Sequence, residues 1–482
     1  MVGVQSKVSD RDAVTLNTGI EGLLGPGCRL SDHRTRRALD RDALLARSQA
    51  CAAGLLQNGC QRGDRVVIAV ADPLAVIVAL FACWRAGLIA VLVNPAIVAA
   101  ERHRVTAATG AALWLDTDDD LGGTSAATME PLEPHDPALI LMTSGTTGVP
   151  KGITLTLSAL FARVHSNGSQ IGAPTLARTL SVLPVFFGHG LIGTIMTPLA
   201  AGGHVILWPT PALGEVAQLG DVLDQTQAGF LSAVPSFWRM ALRLSQPPGT
   251  ALKQVHVGSE VLSAELWQGI ADWSGTRNVL NMYGLTKTAN WVGGAGLDQA
   301  AGKTGFVGRP WLGDMAVLDE AGVIHVSGTG EVLLRSDACM AGIWGDPNAT
   351  EAAFFDGWLR TCDLGELDDA GLTLKGRLKS LINRGGVKIL AEEIEQMLER
   401  HPDVIEAAAF ALPDPVSGEA VGAAVVMRKD ADLPADALRD WCRGEVRAEA
   451  VPSRIAILDT LVRNDRGKLM RDATRDLVLD TG

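Results

Sequence analysis

The sequence predicts an α/β protein: a large N-terminal domain with a mainly parallel sheet, then a small β subdomain and a small α+β C-terminal domain. Three observations carry this. Between residues 41 and 115, apolar runs of strand length alternate with helical stretches, the spacing that βαβ units produce. Residues 305–374 are rich in strand and turn signals, and the tail after Gly376 is long enough for a small domain of its own. At 482 residues the chain exceeds one compact core, since domains usually hold about 100–200 residues.

The elements follow in order. Helix 42–58 leads through a Gly- and Arg-rich turn into strand 66–70, then helix 74–86, strand 89–93, helix 99–109 and strand 112–115. The apolar run 138–142 reads as a buried strand. Beyond it come a helix over 157–166 and strands at 179–183, 204–207 and 230–234. The tail carries helix 391–400, strands 404–412 and 420–427, and helix 435–445. The expected division is a core over 1–375, a hinge at 376–380 and a C-terminal domain over 381–482.

Bulk properties narrow the function. The chain is 47% hydrophobic and 20% charged, as a globular protein is. A net charge of −12 argues against nucleic acid as a partner, which calls for a basic face. Seven scattered cysteines without a CxxC pair fit a reducing cytosol and no metal site. No signal peptide is visible, and the most apolar window, 73–93, is broken by Arg85 and Gly87, so no membrane span is expected. A cytoplasmic location follows, and Arg-, Ala- and Gly-rich usage points toward a bacterial genome.

Strand 138–142 feeds a ten-residue loop: Thr143, Ser144, Gly145, Thr146, Thr147, Gly148, Val149, Pro150, Lys151 and Gly152. Its glycines let backbone N–H groups converge on an anion, four hydroxyls add donors, and Lys151 adds charge. By itself such a loop also reads as an ordinary surface turn. It is no Walker A loop, because two residues rather than four separate Gly145 from Gly148.

Six further motifs follow: LPVFFGHG around His189, VGSEVLS at 257–263, NMYGLTKT at 281–288, WLRTCDLG at 358–365, GRLKSLINRGG at 376–386, and DRGK ending at Lys468. In this order they resemble the ANL superfamily of adenylating enzymes, in its AMP-forming acyl-CoA synthetase branch, over about residues 63–471. The resemblance implies an αβαβα-layered N-terminal domain and a mobile C-terminal one. It implies ATP, coenzyme A and Mg²⁺, and a small carboxylic acid as substrate. A carboxylate attacks the α-phosphorus, pyrophosphate leaves, and the thiol of coenzyme A takes the acyl group. The protein mainly positions groups and neutralises charge.

On this likeness, Thr143, Ser144, Gly145, Thr146, Thr147, Gly148 and Lys151 hold the phosphates. Tyr283, the one tyrosine of the chain, stacks on adenine beside Gly284, and Thr286 meets the α-phosphate. Asp363 and Arg377 take the ribose, while Gly258, Ser259 and Glu260 line the adenine and acyl pockets. Lys468 bridges carboxylate and phosphate, Lys379 marks the hinge, and Gly385 and Gly386 close over the thiol's approach. His189 steers the acid. The acyl pocket adds Gly190, Asn290 and Trp291, whose bulk implies a compact acid. No acidic residue lies between Pro184 and Gly193, which disfavours an amino-acid substrate.

The chain departs from the pattern at Lys287, where relatives place a Mg²⁺-binding glutamate; an ammonium cannot ligate a cation. Lys287 either replaces metal charge at the phosphates, binds a second carboxylate of the substrate, or marks weakened adenylation. Cys362 replaces a glycine, Ile343 a tyrosine, and Asn383 a lysine. Two alternatives stay open: loading of a carrier-protein phosphopantetheine, and a catalytically impaired homologue that acts as a binding protein.

Overall fold

A computed structural model describes residues 19–117, 129–143, 151–260, 262–300, 303–429, 431, 433–464 and 467–480. It is a mixed α/β architecture in two compact units. The first comprises residues 1–302, 309–314 and 334–359; the second comprises 303–308, 315–333 and 360–482.

The first unit holds two sheets. One has eight strands in the spatial order Asn290–Gly296, Val279–Leu285, Gln254–Gly258, Phe230–Ala233, Arg178–Ser181, His204–Leu207, Arg29–Asp32 and Ala38–Asp40. Its six inner strands run parallel, and the two edge strands are antiparallel. The other sheet has six strands, centred on Pro137–Thr143, Ile89–Leu92 and Arg65–Ile68. Helix Pro73–Arg85 starts at an Asp72 cap with proline in its first turn, and every residue from Pro73 to Trp84 is buried. A helix apolar all round must be covered all round. It belongs to a core cluster that also draws on Leu30 and Leu207 of the eight-stranded sheet and on Leu92 and Leu139 of the six-stranded one.

Two local differences from the expected pattern bear on the site. The stretch 143–152 was expected to be loop throughout, yet Lys151 and Gly152 open strand Lys151–Thr156, paired antiparallel with Pro137–Thr143 so that Thr143 faces Lys151. Only glycine fits at 152, where a Cβ would come within 2.8 Å of Ile140 Cγ2. Helix 157–166 runs on to Ile171, because Thr156 caps its start and its apolar face continues through Val164 and Ile171 to Gly172.

In the second unit, strands Trp358–Leu367 and Leu372–Arg377 pair antiparallel within a seven-stranded sheet. A five-stranded sheet follows, dominated by the long hairpin Val404–Asp414 and Gly418–Met427, with helices Ala391–Glu399 and Ala435–Glu445 contributing to its core.

Candidate active site

In the first unit the carboxyl ends of the parallel strands collect polar groups, where ligands bind in open α/β sheets. His189 begins a π-helical segment, His189–Met196, a rare geometry that favours functional positions. Its ring is 5% exposed. Nε2 lies 2.7 Å from Ser232 Oγ, and Nδ1 lies 3.1 Å from Ser259 Oγ. Burial lowers the imidazole to about 3, so the ring is neutral, and one nitrogen donates while the other accepts. Ser259 has φ +76°, a left-handed backbone that turns its hydroxyl onto the histidine. Ser232 was not among the expected site residues; its only sequence signal is a position near the end of an apolar strand.

Trp291 packs edge-on against His189, with ring centroids 5.4 Å apart, and against His256 at 4.7 Å. It is 2% exposed. Any Cβ on Gly193 would strike the Trp291 ring at 2.8 Å and the Asn290 amide. Asn290 Nδ2, Trp291 Nε1 and His256 Nδ1 are buried without a hydrogen-bond partner among the described residues.

The motif around Tyr283 folds as a strand with a bulge. The register slips between Tyr283 and Gly284, where a Cβ would meet the Asn290 carbonyl at 2.6 Å. A 3₁₀ turn, Thr286–Thr288, follows, and Ala289 and Asn290 take positive φ values of +50° and +104°. Such backbone costs about 1–3 kcal/mol and concentrates at functional sites. The Lys287 carbonyl accepts the Met340 N–H at 2.7 Å. Beneath the turn lies Arg163, another residue not foreseen. It is 1% exposed, donates Nε to the Thr288 carbonyl at 3.0 Å, and burial lowers it to about 10.

The second unit gathers its own set. Asp363 is buried and accepts Arg377 Nε at 2.8 Å, directly across the strand pair. Cys362 has φ +62°, which explains why glycine is the expected residue there. The left-handed region costs a non-glycine residue about 1–2 kcal/mol, partly offset by glycine's larger chain entropy. Cys362→Gly is therefore expected to stabilise the fold by about 0.5–1 kcal/mol, read as a higher urea midpoint; a lower midpoint would mean that thiol contacts outweigh the strain.

Gly385 and Gly386 form the two-residue turn between Leu381–Arg384 and Val387–Leu390, with φ +58° and +90°. This is type I′ geometry, which glycine accepts without strain. Lys379 lies in the 3₁₀ turn Leu378–Ser380 and is exposed.

Lys468 sits on a braced loop. Its N–H donates to Asn464 Oδ1 and its carbonyl accepts the Asn464 N–H, both at 3.0 Å. Arg463 donates to the Gly467 carbonyl at 2.7 Å and pairs with Glu406 at 3.1 Å. Arg471 forks onto both oxygens of buried Glu395 at 2.6 Å, and burial pushes that carboxyl up despite the pairing. Desolvation, then the charges of Arg377 and Lys379, bring the Lys468 ammonium down to about 8, with Asp363 opposing.

Of the expected residues, His189, Gly190, Gly258, Ser259, Glu260, Tyr283, Gly284, Thr286, Lys287, Asn290 and Trp291 thus fall in the first unit with Thr143 and Lys151. Asp363, Arg377, Lys379, Gly385, Gly386 and Lys468 fall in the second. Ser144, Gly145, Thr146, Thr147 and Gly148 lie outside the described residues.

The model for AMP-binding enzymes matches residues 33–126 and 115–344, and that for the AMP-binding enzyme C-terminal domain matches 393–468. The chain belongs to the AMP-binding enzymes. Within this family it is similar to an oxalate–CoA ligase of Arabidopsis thaliana, at 33% identity over 75% of this chain and 71% of that one. It is also similar to a sulfoacetate–CoA ligase of Cupriavidus necator, at 34% over 72% and 68%. Among solved structures it resembles ATP-bound MatB from Rhodopseudomonas palustris, with TM-score 0.84 and 25% identity over 95% of this chain and 97% of that one. It also resembles o-succinylbenzoate coenzyme A synthetase of Bacillus subtilis in complex with ATP and magnesium, with TM-score 0.83 and 25% identity over 93% and 96%. No helix among the described residues of this AMP-binding enzyme is long and apolar enough to cross a membrane.

Proposed function

We propose that this AMP-forming acid–CoA ligase activates a short carboxylic acid bearing a second polar or anionic group. The observation that carries the reading is Trp291, whose bulky ring packs against both His189 and Gly193 and so favours a compact acid beside them. The partnerless atoms Asn290 Nδ2, Trp291 Nε1 and His256 Nδ1 favour a polar acid, because buried polar atoms are normally paired. Oxalate and sulfoacetate, named for two relatives, are acids of this kind.

In this reading Thr143, Lys151 and the intervening loop grip the β- and γ-phosphates, Tyr283 stacks on adenine, and Thr286 meets the α-phosphate. Asp363, held by Arg377, accepts the ribose hydroxyls. Lys468 neutralises charge as the acid's oxygen bonds to the α-phosphorus and pyrophosphate departs. The coenzyme A thiol then bonds to the acyl carbon and AMP leaves, with the Gly385–Gly386 turn beside the thiol and Lys379 at the hinge. His189, neutral and fixed by two serines, orients the acid and carries no charge to it.

The test is pyrophosphate release with oxalate, sulfoacetate, malonate, benzoate and octanoate, with and without coenzyme A. Release with the short dianions and thioester formation with coenzyme A are expected. Equal rates with octanoate would overturn the compact-acid reading, and transfer to carrier-protein phosphopantetheine alone would make that protein the acceptor.

Lys287 stands where the resemblance places a Mg²⁺-binding glutamate, and an ammonium cannot ligate a cation. We assign Lys287 to the anionic side of the reaction, at phosphate or at the acid's second group. Its backbone is pinned by Met340, so Lys287→Glu exchanges charge with little change of path. That variant is expected to need several-fold less free Mg²⁺ for half-maximal activity, and identical Mg²⁺ curves would remove the charge-replacement role.

A further inference from the structure

We propose that the first unit carries a second anion site, separate from the candidate active site, for a small polyvalent oxyanion of the phosphate class. A cavity of about 270 Å³ lies against strands Arg29–Asp32, Arg178–Ser181 and His204–Leu207, reaching from Arg29, Arg178 and His204 to His33 and Arg36 in the turn after Arg29–Asp32. None of the residues that line it is among the candidate active-site residues described above.

The strand register builds the site. Arg29 lies opposite His204, and His204 opposite Arg178, so the three side chains form a row on one face of the sheet. Like charges in neighbouring strands are unfavourable unless compensated. Arg36, at φ +60° in the turn after Arg29–Asp32, adds a third guanidinium to the cavity wall.

Compensation from neighbouring carboxylates is partial: Asp40 lies opposite Arg29 on the adjoining strand, and its Oδ1 already caps the helix that follows. Among the described residues, neither Arg29 nor Arg36 uses its guanidinium in a hydrogen bond or ion pair, and Arg178 spends only Nε, on the Thr226 carbonyl at 2.6 Å. The nearby carboxylates are already occupied. Asp32 Oδ1 accepts the N–H groups of Arg34 and Thr35 at 2.7 and 2.9 Å, and Glu215 is held by a two-bond fork from Arg34. His33 Nδ1, on the same wall, is buried without a partner. His204 bonds Ser31 Oγ at 2.8 Å and is neutral, brought to about 4 by burial and then by Arg178 and Arg29.

The wall therefore carries three arginines against one carboxylate, in a chain of net charge −12. Arginine forks fit the oxygens of phosphate-type anions. One monovalent carboxylate would leave this excess only partly neutralised, which favours a polyvalent ligand.

Pyrophosphate is the probe, titrated calorimetrically into the full chain saturated with ATP and given no acid, so that the triphosphate loop is already filled. One pyrophosphate per ATP-loaded chain is expected. Arg29→Gln and Arg36→Gln should each weaken it roughly tenfold or more, the worth of a charge-assisted bond, with melting temperatures unchanged because neither guanidinium bonds within the protein. No uptake by the ATP-loaded chain, or equal uptake by wild type and both variants, would overturn the proposal. ATP binding in the same samples reports on the ligase reading separately.

Discussion

Lys468→Ala is expected to lower acid-dependent ATP–pyrophosphate exchange by about two to three orders of magnitude, the usual cost of removing one preorganised charge from a transition state. Thioester formation from a preformed acyl-adenylate should survive, because that step no longer needs the carboxylate–phosphate bridge. The pH dependence gives a second check. In the proposed role Lys468 acts as a cation, and its ammonium is brought down to about 8, below the ordinary lysine value. Exchange should be level below that pH and fall as pH rises through it. Lys468→Arg, which stays charged, should lose the alkaline decline whatever its absolute rate. Full exchange in Lys468→Ala, or a flat profile from pH 7 to 9 in the wild type, would remove the lysine from the adenylation step.

Trp291→Ala should act on both stability and selectivity. The ring is 2% exposed and touches His189, Phe230, His256 and Trp311. Emptying such a site costs about 3–5 kcal/mol. If the variant folds, the space beside Gly193 opens and preference should move from short dianions toward benzoate and longer acids, read from kcat/KM ratios. Trp291→Leu is the milder companion, removing less volume and keeping the core apolar. An unchanged preference in a folded variant would reduce Trp291 to packing alone.

What the chain reveals in one dimension is uneven. The motifs at 281–288, 358–365 and 376–386 were legible because each holds a local backbone device: a bulge at Gly284, a left-handed residue at 362, a type I′ turn at 385–386. Such devices leave their mark in neighbouring residues. The departure at Cys362 was visible as a missing glycine, and its φ supplies the reason. Ser232, His256 and Arg163 were not legible, since each reaches its partners across a sheet or beneath a turn, and each looks like one polar residue in an apolar run. Lys151 reads from sequence as part of a loop, whereas the structure makes it the first residue of a strand, because threonine- and glycine-rich segments suit loops and hairpin ends alike. The parallel sheet itself was clear from alternation, whereas the antiparallel edge strands lie where crossover spacing has no influence.

The paired serines on His189 have one more consequence. Imidazole is the usual reason that an enzyme's activity bends near neutral pH, and here that source is silenced, because burial lowers the ring to about 3 and leaves it uncharged near neutrality. Between acid and mild alkali the substrate's seat is electrically constant. An activity profile recorded across that span then works as a single-channel meter: on the proposed reading, an inflection near 8 is the signature of Lys468.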